Sequence, residues 1–276
     1  MNADQLRARV AAFERWHYAI DLGHGVVTPI FETAHVVRHE QRRQSFFSPL
    51  VTWLGGLDGL RVLDLGCNAG FWSLQVARAG AREIMGLDGR QTHVDQAELV
   101  MEACGVLKKQ AHFRQADVTS TPLGRDWDLI LCLGLLYHVD EPLELVSRLV
   151  QTEASVLVID TEVHPSFGLR ARRGSENLSD PRSSSVGAQI HVPTTRAIVQ
   201  VLKAGGYSTV VIRPRFTDWL GSEDYRGGWR RTIVASRDRP LEGLRVEADV
   251  VGAPHRETVR WMRWAWSRLA SRLFAY

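Results

Sequence analysis

The sequence predicts an α/β fold: a mostly parallel sheet of seven strands with an antiparallel last strand and helices on both faces. Two observations predict it. Short apolar segments alternate with helical patterns between residues 61 and 161, which is typical of parallel sheets covered by helices. Acidic residues end or follow the first three segments, at Asp64, Asp88 and Asp117. Because carboxyl ends of parallel strands meet at one edge of a sheet, these acids are expected to border a ligand site.

The first sixty residues predict two helices around an irregular segment. Residues 4–16 carry apolar side chains at helical spacing, and residues 33–54 form a second helical pattern that ends before a Gly-Gly pair. Residues 16–29 are aromatic, contain histidine and are interrupted by glycine. They are interpreted either as a hairpin that packs on an edge or as a flap over the ligand site.

The central element is residues 61–70, RVLDLGCNAG, which predict a strand, a tight loop and the start of a helix. Gly66 and Gly70 allow a ligand to approach the backbone, and the helix N-terminus presents N–H groups. A dinucleotide-binding loop has the pattern Gly-x-Gly-x-x-Gly, whereas this loop has Asp-x-Gly-x-Asn-x-Gly. Asp64 would repel a pyrophosphate, so the loop favours a ligand with a cationic end.

The remaining strands follow in order along the chain. Asp88 lies 18 residues after Gly70 at the end of the second strand, where an acid is placed to hydrogen-bond both ribose hydroxyls. The last two strands are expected to form a hairpin with an antiparallel edge. The predicted strands after the first are 83–88, a short third one ending before Asp117, 127–134, 155–161, 207–213 and 231–236. The predicted helices between them are 91–104, 142–150 and 194–204.

The pattern Asp-x-Gly-x-Asn-x-Gly, followed by these spaced acids, resembles the first motifs of class I S-adenosylmethionine-dependent methyltransferases. Asn68 stands where many members have glycine. The resemblance implies a Rossmann-like sheet and S-adenosyl-L-methionine as cofactor. The cofactor-binding residues that it implies, together with the residues already derived, are Tyr18, Asp64, Gly66, Cys67, Asn68, Gly70, Asp88, Gly89, Asp117, Val118 and Leu133.

The segment LCLGLLYHVDEP, residues 131–142, resembles the Gly-x-Leu-Tyr-His segment of sugar and glycolipid O-methyltransferases and of the tRNA wobble-uridine carboxymethyltransferases. Methyl transfer to an unactivated hydroxyl needs removal of its proton. His138 follows the fourth strand and is the candidate base, with Asp140 or Glu141 as residues that could orient it. Glu162, after the fifth strand, and the histidines of the flanking segments are alternatives. The expected activity is O-methylation of a sugar or other hydroxylated small molecule.

Two other functions remain open at the sequence level. The first is methylation or carboxymethylation of a tRNA uridine, which the net charge of only +3 disfavours. The second is a methyltransferase-like binding protein without turnover. The expected partners are a small-molecule or glycan acceptor and a second copy of the chain in a homodimer. No metal-ligand cluster is evident, so no metal is predicted.

The domain organisation predicted is an N-terminal helical cap and flap at 1–60, a methyltransferase core at 61–236, and a linker with an amphipathic helix at 237–276. A basic, Ser-rich stretch at 163–192 is interpreted as a substrate lid or as disordered. The three cysteines, Cys67, Cys104 and Cys132, are too far apart for a zinc motif. With no apolar run of membrane-spanning length and no signal-peptide core, the protein is expected to be cytoplasmic.

Overall fold

The computed structural model describes residues 1–165, 172–175 and 189–244. Most of the predicted lid and the whole amphipathic helix predicted at the C-terminus lie outside the described residues. Within them, no helix is both long enough and apolar enough to cross a membrane.

The central sheet has seven strands in the order β3-β2-β1-β4-β5-β9-β8, and all of them are parallel except β9. This confirms the predicted fold class. Two further strands, β6 and β7, pair with each other in the region of the predicted lid. The strands are β1 (Arg61–Leu65), β2 (Glu83–Asp88), β3 (Ala111–Gln115), β4 (Leu129–Leu133), β5 (Val156–Glu162), β6 (Arg172–Ser175), β7 (Gln189–Val192), β8 (Ser208–Ile212) and β9 (Arg230–Ser236).

The antiparallel pairing predicted for the last two strands is confirmed, and the antiparallel strand is the inner one of the pair. β9 lies between β5 and β8 and is antiparallel to both, so β8 forms the edge and runs in the same direction as β5. Every residue of β9 is buried. An interior strand forms backbone hydrogen bonds with both of its neighbours. At an edge, the backbone groups on one side of β9 would have no strand to pair with.

Helices cover both faces of the sheet. Alternate side chains of each strand point to opposite faces, and in β1 Val62 belongs to one apolar core while Leu63 and Leu65 belong to the other. The first core includes side chains from α1, α3, α4 and α5, and the second includes those from α6 and α7. The helices are α1 (Ala3–Ala11), α2 (Ala34–Arg42), α3 (Ser48–Leu54), α4 (Phe71–Arg78), α5 (Gln91–Ala103), α6 (Pro142–Gln151), α7 (Thr195–Ala204) and α8 (Glu223–Gly227).

The predicted helix at 33–54 is present with an internal irregularity. A π-helical turn, Arg43–Phe47, joins α2 to α3, and the helix ends at Gly55, whose φ of 79° is left-handed. Helical spacing places residues 35, 38, 39 and 42 on one face of α2. These polar side chains are directed to the carboxyl edge of the sheet rather than to solvent.

Residues 16–30 form a folded-back segment that fits both sequence interpretations in part. Asp21 and Val27 form an antiparallel bridge around a turn, as in a hairpin. At the base of this turn, the Tyr18 ring stacks on Phe71 with centroids 4.7 Å apart. The segment is therefore packed on α4, and its base lies at the carboxyl edge of the sheet.

Candidate active site

A cavity of about 460 Å³ opens at the carboxyl ends of β1, β4 and β5. The glycine loop, the segment after β4 and the end of β5 form its sheet side. Residues 17–18, α2 and residues 221–230 form the opposite wall. Six of the predicted site residues line the cavity: Tyr18, Gly66, Asn68, Leu133, His138 and Glu162.

The glycine loop is held by backbone hydrogen bonds to the neighbouring strand. The N–H groups of Gly66 and Cys67 donate to the carbonyl of Leu87 at 2.8 and 3.1 Å. Asn68 has a φ of 48°, in the left-handed region where glycine is more usual and asparagine is tolerated. Asparagine at position 68 can therefore adopt the backbone conformation that glycine has in many members of the family.

Asp64 is buried beneath this loop, where it accepts a 2.6 Å hydrogen bond from the Ser73 hydroxyl. Burial is the main cause that raises the pKa of Asp64 to about 6, although the Ser73 hydrogen bonds favour the charged form. A nearby cationic group would stabilise the ionised form of this buried carboxylate. This agrees with the prediction that the loop favours a ligand with a cationic end.

Asp88 lies at the end of β2 and organises its surroundings. One carboxylate oxygen accepts from the Asn68 N–H at 2.9 Å, and the other accepts from the Arg90 N–H and from His93 Nδ1, each at 3.0 Å. Burial opposes its ionisation, but the His93 hydrogen bond and charge and the backbone amides outweigh burial and lower the pKa of Asp88. A carboxylate has about four acceptor positions, so one remains for a ligand.

Seven predicted residues are not among those that line the cavity in the described part of the chain: Asp64, Cys67, Gly70, Asp88, Gly89, Asp117 and Val118. A Cβ at Gly70 would lie 3.0 Å from that of Ala97, so the lack of a side chain there lets α4 and α5 pack closely. Cys67 is buried, which raises the pKa of its thiol. The Asp117 carboxylate accepts from Thr119 and Ser120 within its own turn.

His138 and Glu162 face the cavity from adjacent strand ends. The His138 ring packs on Tyr137 with centroids 4.0 Å apart. The Tyr137 hydroxyl accepts a 2.8 Å hydrogen bond from Arg230 Nη2. Asp140, a residue expected to orient His138, instead contacts His191, with its carboxylate 3.3 Å from Nδ1. The support of His138 therefore includes Tyr137 and, through it, Arg230.

A network of buried charges, which no sequence motif predicted, lies behind the cavity. Asp160 is fully buried and accepts from Arg42 at 3.1 Å, from Arg230 at 3.0 Å, and from the hydroxyls of Tyr225 and Thr232. Burial opposes its charge, but the two arginines and the hydroxyls lower the pKa of Asp160. The network stays ionised, and its arginines form a polar wall of the cavity.

Asp224 is the second acid of this network. It accepts two hydrogen bonds of 2.7 Å from Arg38 and one of 2.8 Å from Arg230. Burial opposes its ionisation, and the arginines hold its pKa well below the ordinary range. The spacing of Arg38 and Arg42 on one helical face was the sequence signal that could have revealed the arginines of α2.

Three histidines form a second polar group on the cavity wall. The rings of His17, His35 and His39 lie with centroids 5.2 to 5.7 Å apart. Burial, followed by the charges of His17 and Arg42, lowers the pKa of His39 well below its ordinary value, so its ring is neutral. No group of three or more His, Cys, Asp or Glu side chains in the described residues has a geometry that could hold a metal ion.

Comparison with known proteins agrees with this geometry. A family model described as a methyltransferase domain matches residues 62–157. A tRNA U34 carboxymethyltransferase of Idiomarina loihiensis is 29% identical over 182 residues, which cover 62% of this chain and 55% of that relative. The chain thus spans about half the length of this curated relative.

Solved structures share the fold. The N-terminal domain of EvdMO1, solved in the presence of SAH (S-adenosylhomocysteine) and D-fucose, has a TM-score of 0.66 and 23% identity, covering 87% of this chain and 98% of that chain. Magnesium protoporphyrin IX methyltransferase from Synechocystis PCC 6803, with bound SAM, has a TM-score of 0.52 and 23% identity, covering 86% and 100%.

The described fold and the matched residues agree. Residues 62–157 match a methyltransferase domain, and the chain has the fold of the class I S-adenosylmethionine-dependent methyltransferases. The resemblance inferred from the glycine loop and its spaced acids is therefore confirmed.

Proposed function

We propose that the protein transfers the methyl group of S-adenosylmethionine to a hydroxyl of a sugar or other hydroxylated small molecule, with His138 as general base. The observation that carries this proposal is the single cavity that connects the glycine loop to His138 and Glu162. Such a cavity can hold a cofactor and a small acceptor side by side.

The residues around the loop fit the cofactor. Gly134 has a φ of 91°, and among the described residues a Cβ there would meet only Arg230, at 4.0 Å, so the backbone after β4 leaves room for a ligand. Asp64 offers a buried carboxylate to a cationic group, and Asp88 keeps an acceptor position for a ribose hydroxyl. When bound, S-adenosylmethionine supplies an electrophilic methyl group together with its own leaving group.

The chain's own residues supply the proton chemistry in this proposal. A neutral imidazole nitrogen of His138 would accept the proton of the acceptor hydroxyl as the methyl group is transferred. Tyr137 limits the rotation of that ring by packing against it at 4.0 Å. Glu162, on the next strand end, is placed to accept a hydrogen bond from a second hydroxyl of the acceptor.

The polar wall supports a hydroxylated acceptor rather than an apolar one. It contains carboxylates, histidines and arginines that are paired with Asp160 and Asp224. Sugars present both hydroxyl donors and acceptors, which such a lining can satisfy. The sugar in the related EvdMO1 structure, D-fucose, is consistent with this choice.

A second candidate is modification of a tRNA uridine, which the relative from Idiomarina loihiensis favours. A third, binding without turnover, would need no base. These functions make different predictions for a purified sample. We therefore suggest incubation with methyl-labelled S-adenosylmethionine and, in separate reactions, a panel of free sugars and glycosides or total bacterial tRNA.

The sugar proposal expects label in a sugar fraction and none in RNA. Asp88→Asn should reduce this labelling roughly 10- to 100-fold at limiting cofactor. The matched control is Asp95→Asn, which changes an exposed residue on α5. Label confined to RNA would establish the second candidate. Binding of S-adenosylhomocysteine without labelling of any acceptor in the panel or of RNA would favour the third.

A further inference from the structure

Arg42 is held against the helix that follows the glycine loop. It is the last residue of α2 and lines the cavity beside Gly66 and Asn68, with only 5% of its side chain exposed. Its guanidinium carbon lies 5.1 Å from the centroid of the Trp72 ring. Trp72 is the second residue of α4, so the positive charge lies beside a helix N-terminus, where anions bind favourably.

Arg42 has the fewest hydrogen bonds of the arginines that line the described cavity. Arg38 donates two bonds to Asp224 and one to a carbonyl, and Arg230 donates to both network acids and to Tyr137. Arg42 donates one bond of 3.1 Å to Asp160. Its Nε is buried with no hydrogen-bond partner among the described residues. Within this network three arginines face two aspartates, and Glu32, Glu162 and Glu223 line the same cavity.

We infer that Arg42 binds the α-carboxylate of the methionine portion of S-adenosylmethionine, an inference that rests on the proposed function. A carboxylate is the anion that a guanidinium binds with best geometry. Neither the loop motif nor the spacing of the acids points to Arg42, because it lies in the helix before the first strand.

The surroundings of Tyr18 support a zwitterionic ligand at this place. Its hydroxyl is buried, which raises its pKa, while the charge of Arg42 lowers it and the charge of Asp64 raises it. Tyr18 therefore lies within electrostatic reach of both groups. An amino-acid end with its ammonium toward Asp64 and its carboxylate toward Arg42 would match the sign of each.

Calorimetry with three ligands tests the inference without an acceptor. S-adenosylhomocysteine carries the carboxylate, its decarboxylated analogue lacks it, and 5′-methylthioadenosine lacks the whole amino-acid end. The wild-type protein should bind S-adenosylhomocysteine roughly 10 to 100 times more tightly than the decarboxylated analogue, as expected for a hydrogen-bonded charge pair. Arg42→Gln should remove this preference and leave the affinity for methylthioadenosine unchanged.

The control is Arg43→Gln, which changes the neighbouring arginine, a partly exposed residue paired with Glu40. It should bind all three ligands as the wild-type protein does. Arg42→Lys should keep part of the preference because it keeps the charge. A loss of affinity that is equal for all three ligands in Arg42→Gln would show a structural role and overturn the inference.

The affinities of the wild-type protein test the inference even if Arg42→Gln does not fold. If the wild-type protein binds S-adenosylhomocysteine and its decarboxylated analogue equally, the inference is overturned. A wild-type protein that binds none of the adenosyl ligands would overturn the proposed function. The two failures are therefore distinguishable.

Discussion

Arg230 and Tyr137 are joined by a 2.8 Å hydrogen bond from the guanidinium Nη2 to the phenolic oxygen, and the guanidinium carbon lies 4.9 Å from the centroid of the same ring. Arg230 begins β9, and Tyr137 precedes His138 in the short turn after β4. The interior position of β9 therefore links the antiparallel strand to the candidate base.

Tyr137→Phe should lower both stability and turnover. The change keeps the ring that packs on His138 but leaves one donor of the buried Arg230 without its acceptor, which costs about 1–3 kcal/mol. A loss of about 1–3 kcal/mol in the transition state corresponds to a decrease in kcat of roughly 5- to 150-fold. Chemical denaturation and steady-state kinetics would measure the two effects.

The matched control is Tyr207→Phe. The Tyr207 hydroxyl donates a 2.7 Å hydrogen bond to the carbonyl of Ala154, and the residue belongs to the core on the α6 and α7 face. Its loss should reduce stability without a change in kcat. Equal effects of both substitutions on kcat would contradict the positioning role of the Arg230–Tyr137 pair.

Asp88→Asn should weaken the binding of S-adenosylhomocysteine by roughly 10- to 100-fold, because charge-assisted bonds to a diol are replaced by neutral ones. It should also disturb the loop, since Asn68, Arg90 and His93 all donate to this carboxylate. Calorimetry with the folded variant measures the affinity. An affinity equal to that of Asp95→Asn would refute the ribose assignment.

Asp64→Asn should stabilise the protein above neutral pH while weakening cofactor binding. The folded-state pKa of Asp64 is raised from 3.8 to about 6. Its contribution to stability is therefore fully present below pH 3.8 and is lost as the pH rises through about 6. Asparagine removes that loss, which amounts to on the order of 2–3 kcal/mol.

Urea denaturation at pH 4.5 and pH 8 checks this expectation. The difference in unfolding free energy between Asp64→Asn and the wild-type protein should shift in favour of the variant as the pH rises. A difference that is the same at both pH values would contradict the raised pKa. Weaker binding of S-adenosylhomocysteine by a more stable variant would indicate that the buried charge is kept for the ligand.

Much of the sheet could be predicted because its strands are short apolar runs that end in glycine or an acid. The register of Asp64, Asp88 and the glycine loop follows from local spacing. The position of β9 could not be predicted in the same way. Whether an antiparallel strand pairs at an edge or between two others depends on hydrogen bonds between segments far apart in the chain.

The polar wall of the cavity was missed for the same reason. Arg42, Asp160 and Arg230 are more than sixty residues apart in sequence, and none belongs to a motif. In the sequence, an arginine on a helix predicts a solvent-exposed residue. Burial of Arg42 follows only when α2 packs over the carboxyl edge of the sheet and Asp160 supplies the compensating charge.

His138 and the alternative base Glu162 both line the cavity. The hydroxyl of a sugar is only weakly acidic, so its methylation is slow without a base, and general-base catalysis typically contributes about 10²–10⁴ in rate. His138→Gln should therefore lower kcat by a factor in this range and leave the affinity for S-adenosylhomocysteine nearly unchanged. The wild-type kcat should rise with pH to a plateau, as general-base catalysis requires.

Two variants separate the base from its neighbours. His24→Ala removes an exposed histidine at the tip of the 16–30 segment and should leave kcat unchanged. Glu162→Gln should mainly raise KM, because a neutral amide accepts a hydrogen bond from the second hydroxyl of the acceptor less strongly than a carboxylate does. If Glu162→Gln instead abolished the rise of kcat with pH while His138→Gln retained it, the base would be Glu162. His138 would then position the acceptor, since an imidazole that only donates or accepts a hydrogen bond changes KM without giving the rate its dependence on pH.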